Sequence, residues 1–353
     1  MNDVSARIEA LREKLGSDLC ILGHHYQKDG IVAHCDHTGD SLELSRLVPE
    51  TAARHIVFCG VFFMGESAAI LTRPGQNVYL PREDADCMMS LMASACHARA
   101  VLKELAELGR RVTPLAYVNT SVGLKAVVGA FGGAVCTSAN AKTLLRWALD
   151  RGRGVLFLPD RHLGRNAARA LGMDENEWHV LRLSGDGILD PASQPLERPL
   201  LLWPGCCPIH GQFTRERVES LRRERPDCRI IAHPECPPEV AALCDGTGST
   251  AYIIKDAAAF AEAARDAAGP RRTLVVGTEC NLVDRLAARH KKDCDIIPFA
   301  PALCPDMGLV DEAALLALLE RIAAGTARPV SVPEAERGPA RLALTRMLDA
   351  CGR

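Results

Sequence analysis

Three cysteines, Cys87, Cys207 and Cys304, lie far apart in the chain, yet each follows a group of β-rich runs and precedes a helical segment. Thiolates are soft ligands. Three of them, with no fourth, suit a [4Fe–4S] cube, which takes one ligand per iron. The iron left without a protein ligand is an open position that polarises a carbonyl or hydroxyl oxygen. The chain holds fifteen cysteines, an odd number, with no CxxC pair. That pattern is neither a disulfide framework nor a zinc ribbon. Most of the fifteen read as small buried hydrophobes. Cys206 adjoins Cys207 and competes for its role, and Cys280 and Cys294 are substitutes for Cys304.

A second group of residues suits proton transfer and anion binding. HPEC (233–236) puts His233 and Glu235 two residues apart on an extended segment, so both face one way. An imidazole and a carboxylate in one cleft suit general acid–base work. Tyr26 and Tyr117, two of only four tyrosines, each end a β run and offer phenolic protons. Ser41 in TGDSLEL stands at an expected helix N-cap. Thr137 and Ser138 in CTSANA precede a helix, and Ser249 and Thr250 lie in GTGST. Hydroxyls beside free helical N–H groups hold phosphates and carboxylates. Taken singly, each such cluster is better explained by helix capping. FMGES (63–67) and LPD (158–160) read as turns, and no Walker A or full GxGxxG sequence supports a nucleotide site.

The elements that must position these groups repeat. Each pass has a helix followed by short apolar strands, with helices expected at about 3–15, 94–109, 213–225 and 311–323. Strand runs fall at 19–26, 55–60 and 78–81, then at 112–119, 133–138 and 154–160. An irregular Gly- and Pro-rich stretch leads to the run before Cys207. The third pass has runs at 228–235, 250–255, 273–279 and 295–301. Alternation of this kind predicts parallel sheets. The fold class is therefore α/β: three pseudo-symmetric three-layer α/β/α domains with small parallel sheets around a central site. The divisions are 1–92, 93–209 and 210–353, the last with a C-terminal tail. The first strand of each pass ends in a polar triplet: His24-His25-Tyr26, Tyr117-Val118-Asn119, His233-Pro234-Glu235. Ligands of open α/β sheets bind beyond the strands' carboxyl ends.

Composition excludes several other classes. Lys plus Arg total 42 and Asp plus Glu total 44, without the basic excess of a nucleic-acid binder. Aromatics are only 4%, too few for base-stacking platforms. No apolar run is long enough for a membrane span. The charged start MNDVSARIEALREKLG lacks a secretory core, so a cytoplasmic protein is expected.

Taken together, the strings HHYQ (24–27), GDSLEL (39–44), FMGES (63–67), YVNTS (117–121), CTSANA (136–141), LPDRHLG (158–164), WPGCCPIH (203–210), HPECPPEV (233–240), GST (248–250), GTE (277–279) and LCPDM (303–307) carry a resemblance covering about 19–310. In this ordered set the chain resembles type A quinolinate synthase, the iron–sulfur family of de novo NAD biosynthesis. The resemblance implies a central [4Fe–4S] cluster held by Cys87, Cys207 and Cys304; the family's tryptophan-proline-glycine-any-cysteine pattern selects Cys207 over Cys206. It implies a transferase that condenses iminoaspartate with dihydroxyacetone phosphate to quinolinate, releasing phosphate and water. Substrate-contacting positions fall on His24, Ser41, Tyr117, Asn119 and Ser138. They continue at His210, His233, Glu235, Ser249 and Thr250. Tyr26 and Glu235 fall on positions linked to proton transfer, with His233 beside Glu235. The implied partners are the two small molecules, an L-aspartate oxidase or dehydrogenase in passing, and iron–sulfur assembly proteins. The chain departs from the family at 125–135, whose helix lacks a common acidic residue and whose end Gly129, Gly132 and Gly133 leave open. It departs again at Gly308, where lysine is frequent. Two other readings are another [4Fe–4S] hydroxy-acid dehydratase and a thiol-rich redox-sensing binding protein.

Overall fold

The computed structural model describes residues 3–184, 187–191, 194–265 and 270–352. They divide into two compact units. The first is the chain up to Cys87 with Cys280–Leu282 and Leu303–Glu334; the second is Met88–Glu279 with Val283–Ala302 and Ala335–Arg353. The first unit holds one four-stranded parallel sheet built from β1 (Leu19–His24), β2 (His37–Gly39), β3 (His55–Cys59) and β4 (Asn77–Tyr79). Its order is β2-β1-β3-β4. All six residues of β1 are buried, as an unbroken apolar run covered by helices on both faces requires. Helix Asp3–Leu15 packs against helix Glu312–Ala323. The buried His34 joins them, with Nδ1 2.6 Å from Glu9 and Nε2 3.4 Å from Glu312.

The second unit holds two more parallel sheets. One contains β5 (Thr113–Tyr117), β6 (Ala134–Cys136), β7 (Val155–Leu158), β8 (Trp178–Val180) and β9 (Leu200–Leu202), in the order β6-β5-β7-β9-β8. The other contains β10 (Arg229–Ala232), β11 (Gly246–Thr247), β12 (Thr273–Gly277) and β13 (Asp295–Pro298), in the order β11-β10-β12-β13. All pairings in both are parallel. The same order, second–first–third–fourth, therefore recurs in three sheets, with β8 added at one edge. In that order the chain reverses its winding between the first and third strands, and the crevice beyond their carboxyl ends is the binding position of doubly wound sheets. The expected α/β class with three small helix-flanked parallel sheets is the observed architecture.

Several local expectations differ from the structure. TAYIIK (250–255) opens a helix, Thr250–Arg265, although Tyr252, Ile253 and Ile254 suit a strand. The alanine-rich sequence after them and the Ser249 side chain, which accepts the Tyr252 N–H at 3.4 Å, favour the helix. FMGES lies inside helix Phe62–Leu71, not in a turn. Asp40, not Ser41, is the N-cap of helix Ser41–Leu47, in a capping box with Glu43. The stretch after 160 is less irregular than its composition suggests, because helix Arg161–Ala170 and β8 lie within it.

The glycine-rich departure at 125–135 is explained by the C-terminal helix, Glu334–Ala350. Helix Val122–Ala130 runs through Gly129, and a Cβ on Gly129 would overlap the Pro339 carbonyl. Gly132 ends the segment at φ +79, a conformation that favours glycine. Arg346 Nη1 then donates to the carbonyls of Gly129 (2.9 Å) and Gly133 (2.7 Å). Gly129→Ala tests this contact. Helix propensity favours alanine by up to about 1 kcal/mol, while overpacking against backbone costs about 1–3 kcal/mol. The net expectation is a loss of about 1–2 kcal/mol in urea unfolding; a gain in stability would show that the helices are free to separate.

Candidate active site

In the second unit the polar groups gather at the carboxyl ends of first and third strands. Tyr117 is the last residue of β5, and β7 runs into Pro159-Asp160. β10 runs into His233-Pro234-Glu235, and β12 into Thr278-Glu279. These are the crevice positions of both sheets. His210 joins them from the four-residue helix Pro208–Gly211, which begins just after Cys207.

Glu235 lies at the centre, with 3% of its surface exposed. His210 Nδ1–H donates to its Oε2 at 2.7 Å, and the Tyr117 hydroxyl donates to the same carboxylate. His233 Nδ1 stands 4.0 Å from Oε1 and accepts the Glu235 backbone N–H at 3.4 Å. The two imidazoles stack with centroids 4.6 Å apart. The Thr278 hydroxyl meets His210 Nε2 at 3.1 Å, and Cys207 Sγ lies 3.3 Å from His210 Nδ1. Ligand-capable atoms of Cys207, His210 and Glu235 all fall within 4.8 Å of one another.

Burial alone would raise the Glu235 pKa, but the imidazoles of His210 and His233 and the hydrogen bonds from His210 and Tyr117 hold it well below the ordinary carboxylate range. Burial also pushes His233 down to about 3, against the pull of Glu235. The pair at neutral pH is thus an ionised carboxylate beside a neutral imidazole. Asp160, fully buried, is pushed up to about 8 by burial and by the charge of Glu235, although three backbone N–H groups oppose the shift.

The predicted cysteines share one local setting. Cys87 follows β4 and immediately precedes the four-residue helix Met88–Leu91. Cys207 follows β9 and is the N-cap of Pro208–Gly211; Cys304 follows β13 and is the N-cap of Pro305–Gly308. All three are half-buried. Their rivals sit differently. The Cys206 thiol lies within reach of the Arg161 guanidinium. Cys294 is core, its pKa raised by burial, and Cys280 is the buried first residue of helix Cys280–His290.

Other expected residues also have defined places. In the first unit His24 is buried and Tyr26 half-buried, with ring centroids 4.7 Å apart; the Tyr26 N–H donates to His24 Nδ1 at 3.1 Å. Ser41, relieved of the cap by Asp40, begins its helix. Lys28 Nζ reaches the Gly308 carbonyl at 3.1 Å, so an ammonium stands at the turn where glycine replaces the family's frequent lysine. In the second unit Asn119 is half-buried two residues beyond β5. Ser138 and Ser249 line a cavity of about 590 Å³ with Lys142, Asn166, Thr247 and Tyr252. Thr250 is buried at the start of its helix. Asn166 Nδ2 donates to the carbonyls of Pro234 (2.8 Å) and Cys236 (2.9 Å), fixing the turn that carries Glu235. Sequence reasoning passed over Asp160 and Thr278. The available signal was positional: both follow the third strand of their sheets, the other lip of the crevice.

Parallel sheets with a buried carboxylate, two imidazoles, a phenol and a thiol at their crevice have the make-up of an enzyme site. The particular family follows from sequence comparison: the chain belongs to the NadA family, quinolinate synthetase A protein, which it matches over residues 6–349. It is 41% identical to the quinolinate synthase of Halalkalibacterium halodurans, covering 98% of this chain and 93% of that protein. It is equally similar, at 41%, to the quinolinate synthases of Bacillus subtilis (98% and 93% covered) and Streptomyces coelicolor (98% and 88%). Among the described residues, no helix is long and apolar enough to cross a membrane.

One titration in this unit is open to test. His162, on the helix that Asp160 caps, has a pKa pushed down to about 4, chiefly by burial. The unfolded chain therefore takes up this proton first as pH falls from about 6.5. Stability is lost between about 6.5 and 4 and no further below. His162→Asn is expected to flatten that part of the denaturation-midpoint profile; an unaltered acid slope would contradict the assignment.

Proposed function

We propose that this chain condenses iminoaspartate with dihydroxyacetone phosphate to form quinolinate, phosphate and water, as an iron–sulfur-dependent transferase. The observation that carries the reading is the Glu235–His210–Cys207 cluster, where a proton-transfer pair adjoins a ligand-capable thiol. A [4Fe–4S] cluster fits the residues present: Cys87, Cys207 and Cys304 each stand between the last principal strand of a repeat and a four-residue helix. When bound, the cluster would supply a Lewis-acidic iron toward a carbonyl or hydroxyl oxygen.

The chain's own residues do the remaining work. Glu235, ionised at neutral pH, accepts a proton from carbon or oxygen of the condensing substrates. His210 and Tyr117 orient it through their hydrogen bonds, and Thr278 fixes the His210 ring from its other side. Neutral His233 accepts the backbone N–H at Nδ1, which leaves its proton on Nε2 for donation. Tyr26, over the His24 ring, contributes a second phenol. Ser41, Asn119, Ser138, Ser249 and Thr250 bind the carboxylates and phosphate through hydroxyl, amide and helix N–H groups. We divide the chain at 92 and 209, one cysteine per domain, and place the protein in the cytoplasm. There it would meet the L-aspartate oxidase or dehydrogenase that makes iminoaspartate, together with iron–sulfur assembly proteins.

Two substitutions separate ligand from base. Cys207→Ser is expected to lose bound iron and turnover together after anaerobic reconstitution; full turnover from an iron-free protein would end the cluster reading. Glu235→Gln is expected to keep iron and sulfide but lose about 10²-fold or more in rate. An unchanged rate would remove Glu235 from the chemistry.

A further inference from the structure

Cys206 and Cys207 are neighbours in the chain whose thiols have different surroundings. One lies beside His210 and the other beside Arg161. Something must hold the loop in that register, because a shift of one residue would exchange the two thiols.

The structure assigns that task to Asp160 and Arg161, positioning residues that fix Cys207 rather than Cys206 as the thiol facing Glu235. The segment after β7 grips the loop after β9 at successive residues. Asp160 forms an isolated parallel bridge with Gly205, and the Arg161 N–H donates to the Gly205 carbonyl at 2.9 Å. Arg161 Nη1 donates to the Pro204 carbonyl at 2.6 Å. Asp160 Oδ2 accepts the Cys207 N–H at 3.2 Å, while its Oδ1 accepts from His162 N (2.7 Å) and Leu163 N (3.0 Å). Gly205 permits the approach, since a Cβ there would stand 2.7 Å from the Pro159 carbonyl. Trp203 anchors the loop's start through its indole N–H, 2.7 Å from the Met92 carbonyl.

Capping a helix does not require this arrangement. Asparagine caps as well as aspartate, and a cap alone needs only Oδ1. The second oxygen, on a side chain without exposure to water, is given to Cys207 alone. A buried carboxyl group satisfied only by backbone N–H groups is costly to keep, which points to a role for that second oxygen.

The test uses the metal-free full-length chain under anaerobic conditions. Alkylation rates of Cys206 and Cys207 by N-ethylmaleimide are mapped by peptide mass spectrometry. Asp160→Asn keeps an oxygen for the cap but turns an NH₂ toward the Cys207 N–H. It is expected to raise Cys207 labelling about tenfold, the factor for one lost hydrogen bond, with Cys206 little changed. Arg161→Met is expected to alter Cys206 labelling instead, with Cys207 little changed. Iron and sulfide retained after reconstitution should fall at least twofold in Asp160→Asn, an effect that rests on the cluster reading. The labelling does not rest on it, and Cys207→Ser tests that reading separately. A folded Asp160→Asn chain with wild-type labelling, or an equal rise at both thiols in either variant, overturns the proposal. If Asp160→Asn does not fold, Arg161→Met decides alone, and unaltered Cys206 labelling there refutes it.

Discussion

A carboxylate with 3% of its surface exposed would ordinarily shed its charge. Glu235 keeps its own because His210 donates to it at 2.7 Å and Tyr117 adds a phenolic hydrogen bond. Much of the second unit exists to hold these donors in place. Tyr117 is set by the end of β5, Glu235 by the turn after β10, Thr278 by the end of β12, and His210 by a short helix whose N-cap is Cys207. The groups therefore come from two sheets and one loop. Each sheet supplies them from the strands flanking its winding reversal, where the backbone diverges and leaves room.

The short helices carry a related constraint. Pro208 and Pro305 each occupy the first helical position, where a missing N–H costs nothing and a fixed φ favours a sharp start. A cysteine as the preceding cap is poor helix chemistry, because it offers no oxygen to the free N–H groups. Neither Cys207 nor Cys304 makes a side-chain capping bond to its helix. Two sheets thus accept the same weak cap at the same point, which is intelligible if the sulfur is kept for another ligand.

Much of this was legible beforehand, for identifiable reasons. Strands such as LCILGH and TPLAY are unbroken apolar runs because parallel strands are buried on both faces, and that leaves a plain signature. The repeat exposed the cysteine positions. Local pattern misled where two readings shared the same letters. Tyr252, Ile253 and Ile254 favour a strand, yet a serine cap and the alanines beyond made a helix. Asp160 was illegible for another reason: an aspartate after a proline is an ordinary turn residue. Its burial and its grip on Cys207 depend on a loop more than forty residues away, which no local window contains.

The grip of Arg346 on the Gly129 and Gly133 carbonyls has a consequence for the order of assembly. Chains emerge from the ribosome N-terminus first. Tyr117, His210, His233, Glu235 and Thr278 have all been synthesised by residue 278. The guanidinium that secures the turn before β6 arrives nearly seventy residues later. A nascent chain thus holds these groups before the turn leading to Ser138 is fastened, and that fastening waits on helix Glu334–Ala350.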